Sequence, residues 1–178
     1  MIYVFLAEGF EEIEALAPLD ILHRAGQCVK TVGVTGSTVT GAHGIPVVCD
    51  VTVDSLAEQP EAVILPGGMP GTLNLEKSET VCRLVRQTYE QGGLACAICA
   101  APSILGHMGL LAGKRATCFP GFEKDLLGAE LSPDSVCRDG NIITAKGAGV
   151  ALDFGFCITQ ALCGAETAQQ IHDAIQCP

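Results

Sequence analysis

A chain of 178 residues has room for one substantial hydrophobic core, and residues 1–178 read as a single domain. Apolar residues make up 48% and charged ones 17%, with two Tyr, six Phe and no Trp, so the core must be built from small and aliphatic side chains suited to close packing of helices on a sheet. The net charge of -10 and ten scattered Lys plus Arg argue against nucleic-acid binding, and no apolar run is long enough for a membrane span. Met1–Ala7 is followed at once by Glu8, Glu11, Glu12 and Glu14, which does not read as a secretory leader. These features predict a cytoplasmic protein whose ten cysteines are mostly reduced thiols.

In chain order, residues 2 to 7 read as an apolar strand. Gly9 turns the chain, and Glu11 to Ala25 carries Ile13, Leu16, Leu19, Ile21 and Leu22 at helical spacing up to Gly26, with Pro18 expected to kink that helix or mark a second start. Val29 to Val34 reads as a second strand. Thr38 to Thr40 and Ile45 to Val53 read as short strands joined around Gly41-Ala-His43-Gly44. Glu61 to Leu65 is a buried strand ending in Pro66-Gly67-Gly68, and Glu79 to Glu90 is amphipathic, closed by Gly92-Gly93. Leu94 to Ile98 is apolar or thiol-bearing without alternation, as expected of a strand covered on both faces, and Pro102 then suits a first helical turn. Ala116 to Phe119 reads as a short strand, and the segment near Phe122 to Leu127 has no clear pattern. Asp139-Gly140-Asn141 marks a hairpin between Val136–Arg138 and Ile142–Ala145, and two helices close the chain, one to Leu162 and one over Ala165 to Ile175. Strands alternating with helices predict an α/β fold with a central, mostly parallel sheet, helices on both faces and a small β-hairpin.

Three strand ends carry candidate chemistry. In a doubly wound sheet Glu14, the Gly67-Gly68 turn and Cys99 all follow strands at the carboxyl edge, where such folds place their sites. A cysteine at a strand-to-helix junction lies near free backbone N–H groups, and a Pro-Gly-Gly turn lets further N–H groups approach an oxyanion. The local alternatives are a small buried hydrophobe for Cys99, a solvated acid at a helix start for Glu14, an ordinary turn for the glycines and an exposed turn residue for His43. A carboxyl next to a thiol is useful when it is neutral, donating to the thiolate and then moving protons on a carbonyl substrate. Cys96-Ala-Ile-Cys99 has dithiol spacing, but strand alternation sends the two sulfurs to opposite faces. The four histidines are scattered, which gives no metal site, and Ser103 is not in a GxSxG turn.

The stretches FEEIEALAPLDILHRAG, ILPGGMPG, ACAICAAPSIL and AKGAGVALDFGFCITQAL, in this order and spacing across the chain, resemble the DJ-one/ThiJ/PfpI superfamily and within it the YajL-like bacterial branch. The resemblance implies a flavodoxin-like sandwich, a homodimer and no cofactor. It implies Cys99 on a nucleophile elbow with Glu14 beside it, an oxyanion pocket around Gly68 and Ala100 at the Gly67-Gly68 turn, and Gly147 and Ala148 lining the site. It also implies Arg24 and His43 at a dimer contact near the pocket. Two positions depart from relatives: Ala100 stands where protease-like members have histidine directly after the cysteine, and Phe119 aligns with a histidine found in others. With neither histidine, Glu14 is the remaining proton shuttle, which suits a carbonyl reaction better than peptide hydrolysis. The expectation is a deglycase or cofactor-independent glyoxalase acting on methylglyoxal, glyoxal or their early adducts. The rival is an oxidative-stress sensor or chaperone working through oxidation of Cys99. A role in thiamine metabolism finds no phosphate-binding motif in support.

Overall fold

Alternate residues of the buried strands face two different cores, and this period of two organises the chain. The computed structural model describes residues 1–56 and 59–178. In chain order its elements are β1 (Ile2–Leu6), α1 (Glu12–Arg24), β2 (Val29–Gly33), β3 (Thr38–Thr40), β4 (Pro46–Val48), β5 (Val51–Thr52), β6 (Ala62–Leu65), α2 (Gly71–Glu76) and α3 (Glu79–Glu90), then β7 (Leu94–Ile98), α4 (Pro102–His107), β8 (Arg115–Ala116), β9 (Glu130–Leu131), β10 (Val136–Asp139), β11 (Ile142–Ala145), α5 (Ala151–Cys163) and α6 (Ala165–Ala174). A seven-stranded sheet has the order β10-β11-β7-β6-β1-β2-β5. Every neighbouring pair in it is parallel except β10 with β11.

Tyr3, Phe5, Val63, Leu65, Ala95 and Ala97 face a core closed by Val81, Leu84 and Val85 of α3 and by Ile104 and Leu105 of α4. Ile2, Val4, Leu6, Ile64, Cys96 and Ile98 face the other, closed by Ala15 and Leu22 of α1 and by Phe154 and Ile158 of α5. Strands buried on both sides show no polar alternation, which is why the Leu94–Ile98 run looked uniform in sequence. This is the flavodoxin-like sandwich expected, with helices on both faces.

Several elements differ from the sequence expectation, each for a local reason. Pro18 does not mark a second start. It is buried within the continuous α1, against α5, where a Cβ on Gly155 would stand 3.0 Å from the Pro18 Cα. The Ile45–Val53 segment splits because the Asp50 carboxylate accepts from the Thr31 N–H (2.8 Å) and hydroxyl (2.7 Å), pinning β5 to β2, while β4 pairs with β3 in a separate hairpin. The strand expected at Ala116–Phe119 stops early, since the Thr117 N–H donates to the Thr144 hydroxyl (2.9 Å) and the Phe119 N–H to the Cys99 carbonyl (2.8 Å) instead of to a strand. The segment after it holds a single turn of 3-10 helix over Glu123–Asp125. The short α2 and β9 have no periodic signal of their own.

Candidate active site

β7 ends at Ile98, and the next residue, Cys99, adopts φ 65°. That left-handed conformation costs a residue with a Cβ about 1–2 kcal/mol, so the surroundings must hold it. They do so from both sides: the Cys99 N–H donates to the Ala145 carbonyl (2.9 Å) at the end of β11, and the Cys99 carbonyl accepts from the Phe119 N–H (2.8 Å). α4 then starts at Pro102, where a missing N–H costs nothing. The turn also cancels the alternation expected between Cys96 and Cys99, since residue 99 has left the strand and borders the same core as Cys96. All ten cysteines are free thiols.

Glu14 reaches this sulfur from the first turn of α1. Its side chain is 1% exposed, and Oε2 accepts the Gly67 N–H at 2.9 Å. The Ala148 N–H donates to the same carboxyl, and the Cys99 thiol is hydrogen-bonded to it. Gly67 passes between nucleophile and acid: a Cβ there would lie 2.7 Å from both the Cys99 Cβ and Glu14 Oε2. Gly68 follows at φ 87°, a conformation that favours glycine, and with Ala100 it turns a backbone N–H onto the Cys99 sulfur.

The electrostatics follow from burial. Loss of water pushes the Glu14 carboxyl up to about 7, against the partial relief of the Cys99, Gly67 and Ala148 hydrogen bonds and with a further push from the Glu11 charge. Burial, then the Glu14 charge and hydrogen bond, push the Cys99 thiol up to about 12, and the N–H groups of Ala100 and Gly68 offset only part of this. Burial thus drives both groups toward their neutral, protonated forms. The raised Glu14 carboxyl is the shift expected for an acid drawn out of water.

The structure thus brings together Cys99, Glu14, Gly67, Gly68, Ala100, Gly147 and Ala148. Gly67 is not free to serve an oxyanion, since its N–H is taken by Glu14; the free donors are those of Gly68 and Ala100. Arg24 lies ten residues beyond Glu14 on α1, roughly 15 Å along the axis, and its Nε pairs with Asp20 (2.7 Å) on the surface. His43 sits at the tip of the β3–β4 hairpin, 69% exposed, with Nδ1 2.8 Å from the Glu12 carboxylate, which raises its pKa.

Two acids not singled out in the sequence support the site. Glu11 caps α1, its carboxylate accepting the Glu14 N–H (2.8 Å) while its own N–H donates to the Gly67 carbonyl (3.0 Å). Glu12 is buried and also accepts the backbone N–H of His43 (2.9 Å), tying the hairpin to α1. Glu is not among the residues that favour a helix N-cap, so local pattern gave no signal for this cap. Among the described residues, Glu11, Glu12 and His43 are the one group whose potential metal-ligand atoms lie within 4.8 Å of one another. Its carboxylates are already engaged as cap and hairpin anchor.

Residues 1–161 match the DJ-1/PfpI family. The chain belongs to that family. Among its members, the Drosophila melanogaster protein dj-1beta is 34% identical over 172 residues, covering 94% of this chain and 92% of the relative. Deglycase PH1704 of Pyrococcus horikoshii is 32% identical over 144 residues, covering 79% of this chain and 86% of the relative. A crystal structure of a DJ-1 superfamily protein from Salmonella typhimurium superposes with a TM-score of 0.95 at 34% identity, covering 99% of this chain and 98% of that one. Among the described residues of this DJ-1/PfpI protein, no helix is long and apolar enough to cross a membrane.

Proposed function

We propose that the protein is a cysteine-dependent, cofactor-independent deglycase or glyoxalase that converts methylglyoxal, glyoxal or their early adducts into 2-hydroxy acids. The observation that carries this is the hydrogen bond between the Cys99 thiol and the buried Glu14 carboxyl, with Ala100 and Phe119 where a histidine would make a protease-like pair. The deglycase relative supports the same class.

As the sulfur adds to the aldehyde carbon, the C–S bond forms, Glu14 takes the thiol proton, and the carbonyl oxygen develops charge beside the N–H groups of Gly68 and Ala100. That oxygen is then protonated to a hemithioacetal. Glu14 moves the proton from C1 to C2 through an enediol, leaving a thioester of the 2-hydroxy acid. Water cleaves the C–S bond and restores the thiol. Methylglyoxal plus water becomes lactate, C1 being oxidised as far as C2 is reduced, so no outside oxidant or cofactor enters.

The test is lactate formation from methylglyoxal by the purified chain. Cys99→Ser is expected to abolish it and Glu14→Gln to lower kcat about a hundredfold or more. Because the base form of Glu14 is the working one, wild-type turnover should rise with pH through about 7. Wild-type-like rates in either variant overturn the proposal. So does an inert wild type that instead gains two oxygens at Cys99 under mild peroxide, which would mark an oxidation sensor.

The same reading includes a homodimer. Ile13 on α1 and Ile45 and Val48 on the adjacent hairpin are 56%, 51% and 78% exposed, an apolar set suited to a second copy. Ten free thiols support work in a reducing compartment such as the cytoplasm.

A further inference from the structure

Beside the Cys99–Glu14 pair lies a cleft of about 410 Å³ lined chiefly by Phe119, Pro120, Gly147, Ala148, Gly149 and Val150. Two of its lining residues, Gly147 and Ala148, also border the site. The Ala148 N–H donates to the Glu14 carboxyl. A Cβ on Gly147 would stand 3.3 Å from the Phe119 ring and 3.8 Å from Glu14 Oε1, so the ring and the carboxylate flank one glycine. The Phe119 backbone is bonded to the Cys99 carbonyl, which fixes where the ring starts relative to the sulfur.

The lining chemistry selects the occupant. The ring of Phe119 is 47% exposed although most large apolar side chains of this chain are buried, and it forms one wall. Gly147, Ala148 and Gly149 form another with nothing larger than a methyl group. Lys146, the cation among the lining residues, is held by a hydrogen bond from its Nζ to the Pro133 carbonyl (2.6 Å). A methyl group leaves such a cleft mostly empty, whereas a flat apolar ring can rest on Phe119 and the backbone of residues 147–149.

We propose that this cleft is the substituent subsite of the enzyme and that the preferred substrates are α-oxoaldehydes bearing an aryl or bulky apolar group. The inference rests on the glyoxalase reading and deepens it. The chemistry is unchanged: phenylglyoxal plus water becomes mandelate, with the oxidation of C1 balanced by the reduction of C2.

The experiment compares kcat/KM for phenylglyoxal and methylglyoxal on the full chain. Wild type is expected to favour phenylglyoxal about tenfold or more, the preference lying mainly in KM. Phe119→Ala should lower the ratio of the two kcat/KM values about tenfold by removing one wall. Gly149→Val should lower it as well by filling the cleft; a Cβ at Gly149 meets no atom within 4 Å, so this variant is expected to fold. A wild-type ratio near one, or a ratio that neither variant moves, overturns the subsite while leaving methylglyoxal turnover in place. An enzyme inert toward both aldehydes overturns the glyoxalase reading, and the subsite with it.

Discussion

Glu14 shows at the scale of one residue how burial sets chemistry and stability together. Its carboxyl has an ordinary value of 4.5 and is held up to about 7 in the folded chain. The folded state therefore holds a proton that the unfolded chain has lost. This contribution to stability is fully present below pH 4.5 and is lost as the pH rises through about 7. The loss is at most about 3 kcal/mol. Glu14→Gln removes the titrating group while keeping one acceptor oxygen for the Gly67 N–H. Denaturant unfolding of both proteins across this range should show the variant gaining on wild type as pH rises, by roughly 2 kcal/mol near pH 8. Parallel curves for the two proteins would contradict this account. A raised working pKa and a stability cost at neutral pH have the same origin, the withdrawal of water from one carboxyl.

Helix α1 and helix α5 are placed by one close approach. Pro18 lacks the N–H that would bond the Glu14 carbonyl, yet α1 is continuous because its neighbours hold it, with Gly155 of α5 packed on the proline. A Cβ at Gly155 would stand 3.0 Å from the Pro18 Cα and 3.3 Å from Ile21 Cβ and Cγ1, so larger side chains must push the helices apart. Gly155→Val is expected to destabilise the fold by about 2 kcal/mol, read as a lower thermal midpoint. An unchanged midpoint would show that the helices have slack. The hairpin formed by β3 and β4 depends in a similar way on Glu12, which binds both the backbone and the ring of His43. The sequence showed the helix around Glu12–Arg24 through its apolar spacing, but not what Pro18 would do, since the outcome depends on a glycine 137 positions later.

Across the whole molecule the apolar residues divide into two cores, one on each side of the sheet, and a remainder on the surface. Ile13, Ile45 and Val48 belong to that remainder, and their cost in water is removed if a second copy covers them. Light scattering on the purified protein is expected to give twice the chain mass of 18.4 kDa, and Val48→Glu to shift the protein to monomer by placing a charge in the contact. A wild type that is monomeric at micromolar concentration would exclude the dimer. The negative charge of the chain adds repulsion between copies, so raised salt should strengthen the wild-type assembly.

Local pattern alone determined the buried parallel strands, the amphipathic helix over Glu79–Glu90, the β10–β11 hairpin and the junction at Cys99, because these follow from apolar period, turn residues and helix caps within about a dozen positions. It also placed Glu14, Gly68 and Cys99 at strand ends, and their order together with the other motifs carried the family resemblance. Tertiary structure decided the rest. Whether Glu14 meets solvent or sulfur depends on three loops from separate parts of the chain, around Gly67, Cys99 and Ala148, closing around it, and the same closure takes the Gly67 N–H away from any oxyanion. The protonation of Cys99 and Glu14 depends on burial, which no spacing encodes. The cleft beside Phe119 exists because the segments around residues 119 and 147 meet at the sheet edge.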